Sequence, residues 1–126
     1  MRVLALDFGE ARCGVAVSDP TGTIATPLDA VQRPDTRRGL NALARLVDEY
    51  EAEHVVVGLP LTLSGEQGSQ AQRTREFAER LADRVDVPVK LHDERLTTRE
   101  ALRGGRENVD SRAAAYLLDA YLGAAR

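Results

Sequence analysis

The sequence predicts an α/β protein with a mixed five-stranded sheet covered by helices. Three observations carry that expectation. The chain opens with three short β-type segments on tight connections, which make an antiparallel meander. Helical periodicity then alternates with apolar strand-like runs, as in a sheet whose later strands are joined by crossover helices. One of those runs, His54 to Leu59, is apolar almost throughout, the mark of a strand buried on both faces.

Arg2 to Asp7, rich in apolar residues, forms the first expected strand. A glycine-containing turn, Phe8 to Arg12, leads to the second, Cys13 to Ser18, which carries the β-formers Val15 and Val17. Asp19-Pro20-Thr21-Gly22 has turn chemistry, since proline presets φ and glycine tolerates positive φ. A short third strand is expected around Thr23 to Thr26, with Pro27 marking an edge or a strand end. Leu40, Leu43, Ala44, Val47 and Tyr50 then form one apolar stripe at helical spacing, capped by Asp35 or Thr36. After the His54 strand, a polar loop from Thr62 to Gln70 precedes a helix that turns Ala71, Thr74, Phe77, Ala78 and Leu81 to one side. Val87 to Asp93 is the fifth strand. Thr97-Thr98-Arg99-Glu100 reads as a capping box opening a short helix that Gly104-Gly105 ends. A last helix starts near Asp110, with Ala113, Ala114, Leu117, Leu118, Tyr121 and Leu122 inward.

The 126 residues suit one domain, spanning 1–126, with a core large enough to need neither disulfides nor a structural metal. Cys13 is the only cysteine, which excludes an intrachain disulfide framework and a Cys-rich zinc site. The longest apolar run, Val55 to Leu61, falls far short of the ~20 residues of a membrane span. Val3 to Leu6 is too short for the apolar region of a signal peptide, so a cytoplasmic protein is expected. Seventeen basic residues against twenty acidic ones give a net charge of −3, which argues against a non-specific nucleic-acid coat. Local basic patches remain compatible with that balance.

Three acidic residues stand at expected element ends. Asp7 closes the first strand beside Gly9, whose missing side chain lets a ligand approach the backbone; both are also ordinary turn formers. Glu94 follows the fifth strand within Asp93-Glu94-Arg95, a run that also suits a charge-balanced strand end. Asp110 opens the last helix, where Asp is a favoured N-cap. Together they lie on a fold whose sheet can bring such ends together. Three converging carboxylates repel one another unless a cation sits between them. Hard divalent cations such as Mg²⁺ prefer oxygen ligands, and two of them ~4 Å apart clamp a phosphodiester. That chemistry needs no His, Cys or Ser nucleophile. His54 and His92 lack the H-E-x-x-H spacing and read as strand residues, and Cys13 reads as a small buried one. There is no P-loop and no G-x-S-x-G elbow.

The segments LALDFGEARCGVAVSD, VVVGLPLTLSGEQGSQAQRTREFAERL, VKLHDERLTT and VDSRAAAYLLDAYL follow one another across nearly the whole chain. Together they resemble the YqgF (RuvX-type) family of RNase H-like nucleases. The resemblance implies an RNase H-like fold, similar to that of Holliday junction resolvases, and a metal-dependent endonuclease. It implies that Asp7, Glu94 and Asp110 are the catalytic, metal-binding carboxylates, with two Mg²⁺ or Mn²⁺ ions per site. The substrate it implies is structured RNA, in 5′-end maturation of pre-16S ribosomal RNA. Branched DNA in recombination and repair is the alternative substrate, and a non-catalytic nucleic-acid-binding assembly factor is a lesser alternative. Related resolvases act as dimers, because a four-way junction is cut at two symmetric places, so a homodimer is a further expectation.

Arg95, Arg99 and Arg103 recur every fourth residue and can share a helix face, either against phosphate or as a solvated face paired with Glu100 and Glu107. Arg106 and Arg73 complete the candidate nucleic-acid contacts. Many relatives carry a longer Lys/Arg-rich stretch before the V-D-S helix. Here Arg103-Gly104-Gly105-Arg106-Glu107-Asn108-Val109 holds two basic residues, which leaves few local phosphate donors.

Overall fold

The computed structural model describes residues 1–60, 68–93 and 109–125, the last helix being described through its backbone alone at 109, 110, 124 and 125. Among the described residues five strands and three helices follow in order: β1 (Val3–Asp7), β2 (Arg12–Ser18), β3 (Ala25–Gln32), α1 (Arg37–Glu49), β4 (His54–Leu59), α2 (Ser69–Ala82), β5 (Val89–Asp93) and α3 (Val109–Ala125). The strands form one sheet in the order β3-β2-β1-β4-β5. β1 to β3 are the expected antiparallel meander, whereas β4 and β5 run parallel to β1. The sheet is mixed, as the sequence predicts, because a two- to six-residue turn reverses the chain and a crossover helix returns it in the same direction.

Alternation along the strands divides the core in two. Leu4, Leu6 and Phe8 of the β1 region, with Val55 and Val57 of β4, pack beneath α1 and α2, against Leu40, Leu43, Phe77 and Leu81. Val3 and Ala5 of β1, Ala16 of β2 and Val56 of β4 pack on the other face beneath α3, against Ala114, Leu117, Leu118 and Leu122. All six residues of β4 are buried, which accounts for its near-continuous apolar sequence.

The third strand differs from the expectation. It begins at Ala25 and runs through Pro27 to Gln32. β3 is an edge strand with only β2 beside it, and Pro27 pairs with Ala16. An edge tolerates a residue without an N–H, so proline did not end the strand. The preceding turn is held by Asp19, whose Oδ1 accepts from the Thr23 and Ile24 N–H groups at 2.8 Å each. These bonds favour the carboxylate and hold its pKa well below the usual range. α1 is capped by Thr36, the second of the two expected candidates, whose Oγ1 accepts from Gly39 N–H at 3.1 Å. A Cβ on Gly39 would lie 2.2 Å from the Arg33 carbonyl oxygen, so the tight β3–α1 corner requires glycine there. α2 starts at Ser69, within the stretch expected to be loop, and β5 starts at Val89, two residues later than expected. The short helix expected from Thr97 lies outside the described residues. Among the described residues no helix is long and apolar enough to cross a membrane.

His54 opens β4 at 5% exposure, its ring edge-on to Tyr121 of α3 with centroids 5.4 Å apart. Its Nε2 is buried and finds no hydrogen-bond partner among the described residues. Burial lowers its pKa, the charge of Lys90 lowers it further, and Glu53 works in the opposite direction. The folded state therefore favours the neutral ring, while the unfolded chain takes up a proton at a higher pH. Stability from this residue is complete above the ordinary value of about 6.5 and is lost as the pH falls below it. Thermal melts near pH 7 and pH 5 should show a smaller acid-side drop in Tm for His54→Phe than for the parent; equal drops would mean that His54 stays unprotonated or titrates alike in both states.

Candidate active site

Asp7 is the last residue of β1 and is half-buried. Val3 and Ala5 face α3, so alternation puts the Asp7 side chain on that face too. Phe8 points the other way and stacks on Phe77 of α2, with centroids 4.4 Å apart and planes at 20°. The site turn is thus anchored from the opposite side of the sheet. A Cβ on Gly9 would come within 2.9 Å of the Arg12 carbonyl oxygen, so the turn closes only around glycine. A cavity of about 370 Å³ opens here, lined by Asp7 to Arg12 and Gly14. Glu10 on its rim pairs with Arg73 of α2, and both side chains are exposed. Arg73, one of the expected nucleic-acid contacts, therefore stands beside the Asp7 cavity.

Cys13 is fully buried behind this turn. Burial pushes its thiol pKa well up, and the nearby Asp7 carboxylate adds to the rise. The thiol is thereby held in its unreactive, protonated form, in keeping with the expected role as a small packing residue.

The register shows which other positions share the Asp7 face. Leu6 pairs with Val57, so one further step sets Asp7 alongside Gly58, and Gly58 in turn pairs with His92 of β5. His92 faces α3, its ring edge-on to Tyr121 at 5.7 Å. Gly58 is buried and places no side chain between them. Val89 and Leu91 pack on the α1–α2 side. Asp93 follows Leu91 in alternation and falls on that side as well, away from the face of Asp7.

Asp110 lies in the first turn of α3, described through its backbone. The next residue, Ser111, is 1% exposed, and its Oγ accepts from the Val15 N–H of β2 at 3.1 Å. Val15 is paired with Leu6, and the adjacent Gly14 with Asp7. The start of α3 is therefore brought to the strand beside Asp7. Glu94, Arg95, Arg99, Arg103 and Arg106 lie outside the described residues. Among the described residues no three His, Cys, Asp or Glu side chains gather as a metal-holding group. Of the three expected ligands, Asp7 alone has a described side chain.

Sequence reading missed Ser111 and Gly58. The signal for Ser111 was a hydroxyl within the inward stripe that continues through Ala114, Leu118 and Leu122. The signal for Gly58 was a glycine inside an otherwise bulky strand, a pattern that marks close approach.

The family model for RuvX, described as Holliday junction resolvase, matches residues 1–124. A Desulforamulus reducens protein named "Putative pre-16S rRNA nuclease" is 37% identical, over 97% of this chain and 96% of its own. One of the same name from Mycobacterium ulcerans is 46% identical, over 96% of this chain and 78% of its own. Among solved structures, Thermus thermophilus RuvC aligns with a TM-score of 0.61 at 17% identity, covering 98% of this chain and 97% of that one. Fowlpox virus resolvase, in a complex with Holliday junction DNA, aligns with a TM-score of 0.59 at 13% identity, covering 99% of each. At such identities the likeness concerns the fold, which is that of RuvC-like resolvases and hence RNase H-like. Sequence and fold agree: this chain belongs to the RuvX family.

Proposed function

We propose that the chain is a single-domain, divalent-metal-dependent endonuclease that hydrolyses phosphodiester bonds of structured RNA in 5′-end maturation of pre-16S ribosomal RNA. The observation that carries this is the placement of Asp7: a half-buried carboxylate at the end of the central strand, opening on a cavity, with the start of α3 held beside it. Relatives at 37% and 46% identity over nearly the whole chain, both named for pre-16S rRNA, favour RNA. The family description favours a four-way DNA junction as the second reading.

Asp7, Glu94 and Asp110 are the proposed metal ligands. An all-carboxylate, oxygen-only donor set suits Mg²⁺ or Mn²⁺ and disfavours softer metals. Bound there, the ions would activate water and stabilise the leaving oxygen of the phosphodiester. The chain's own part is to hold three negative charges near one point, a cost that only a cation or a protonated carboxyl relieves. Asp93 falls on the face away from Asp7, which supports its neighbour Glu94 as the carboxylate contributed near this strand end. Arg73, Arg95, Arg99, Arg103 and Arg106 supply phosphate contacts. A homodimer would match a two-fold junction.

The deciding experiment offers precursor 16S RNA and a four-way DNA junction in competition, with Mg²⁺ and with Mn²⁺, at one stated salt concentration. Preferential cleavage of the RNA supports the first reading; preferential cleavage of the junction supports the second. Binding of either without turnover would make the chain an assembly factor.

Asp7→Asn should lower cleavage by about 10³-fold or more while leaving nucleic-acid binding within a few-fold, because it removes a ligand charge and spares the arginines. A variant keeping a tenth of the parent rate would remove Asp7 from the ligand set. Glu94→Gln should act in the same way, whereas Asp93→Asn should leave cleavage nearly unchanged; equal losses in two folded variants would refute the face assignment. In salt titrations on duplex substrate, the Arg103→Ala/Arg106→Ala double variant should flatten log K against log[salt] by up to about two units, at about −0.9 per phosphate contact. Superimposable slopes would mean that the substrate is gripped elsewhere.

A further inference from the structure

The Ser111 hydroxyl is one of four polar side chains, among the described residues, that are buried. It occupies a position in the apolar stripe of α3, three residues before Ala114 and seven before Leu118, both of which pack on the sheet. Apolar packing alone holds a helix loosely in height, because hydrophobic contact has no direction. A hydrogen bond does have direction, and this one joins residues 96 positions apart in the chain. Its donor, the Val15 N–H, sits where the β2–β3 register shifts between Cys13 and Val15. The two strand positions involved, Gly14 and Val15, are those paired with Asp7 and Leu6. One hydroxyl therefore ties the first turn of α3 to the strand that flanks Asp7, and the residue immediately before it is Asp110.

We infer that Ser111 is a positioning residue: its Oγ, by accepting from the Val15 N–H, sets the height of α3 on β2 and so the separation of Asp110 from Asp7. This rests on the reading of Asp7 and Asp110 as ligands of one divalent-metal site. Ser111 itself touches neither metal nor substrate. It acts by making the two carboxylates reach one point without a search, which is what a supporting hydrogen bond does for a metal ligand.

The test measures Mn²⁺ binding to the protein alone by calorimetry, beside Tm and cleavage kinetics, for the parent, Ser111→Ala, Ser111→Thr and Asp110→Asn. Ser111→Ala should weaken Mn²⁺ binding by about tenfold or more, with a lower kcat and a KM for nucleic acid within about twofold of the parent. Ser111→Thr keeps the acceptor oxygen and should recover most of the Mn²⁺ affinity. If Ser111→Ala fails to fold, Ser111→Cys, which keeps the volume but offers a poor acceptor, should show the same loss. A folded Ser111→Ala or Ser111→Cys variant with a lower Tm but parental Mn²⁺ affinity and kcat would overturn the inference and leave Ser111 a structural residue. Parental Mn²⁺ affinity in Asp110→Asn as well would instead overturn the metal-site reading beneath it, so the two failures are told apart.

Discussion

The central place of β1 is the constraint on which the site depends. β1 has a strand on each side and a helical layer over each face, so every one of its side chains has an assigned direction. Leu4 and Leu6 go beneath α1 and α2; Val3, Ala5 and Asp7 go toward α3. A slip of one residue would exchange the two sets and push the Asp7 carboxylate into the Phe77–Leu81 core, where an unpaired charge is costly. The packing that stabilises the sheet is thus the same packing that aims the acid.

Directional bonds refine what apolar burial leaves loose. Ser18 Oγ accepts from the Val3 N–H at 2.7 Å and locks the far end of the β1–β2 pair. Ser111 performs the matching task near the Asp7 end, with a helix in place of a strand. Thr36 settles where α1 begins, and Asp19 settles the hairpin turn before β3. Each is a short hydroxyl or carboxylate that satisfies backbone N–H groups at a junction, where the regular ladders run out. In water such bonds are worth about 1 kcal/mol each. Their larger effect here is geometric, since each fixes where one element begins or meets its neighbour.

The fold also accounts for how solved structures at very low identity share its shape. RuvC-like structures at 13% and 17% identity keep the sheet and its covering helices. The requirement on most core positions is apolar character and approximate volume, which many sequences meet. The requirement at the C-terminal end of β1 is narrower. Gly9 must lack a Cβ to clear the Arg12 carbonyl, and a carboxylate there must be tolerated half-buried above a neutral thiol.

Local chemistry was legible in the sequence: where apolar residues alternate, where helical stripes run, that Asp35 or Thr36 caps α1, and that Asp7 ends a strand and Asp110 begins a helix. Those are properties of neighbours in the chain, set by backbone geometry and residue type. The lengths of edge elements escaped it. β3 continued through Pro27 because an edge strand has no neighbour on its outer side to miss that N–H, and edge position is a fact of strand order. The relations across the sheet escaped it as well. That Gly58 lies between Asp7 and His92, that Asp93 turns from the Asp7 face, and that Ser111 reaches Val15 all depend on pairing between residues distant in sequence. These were settled in three dimensions, because strand register and helix height are chosen by long-range burial and by hydrogen bonds that form after the elements meet.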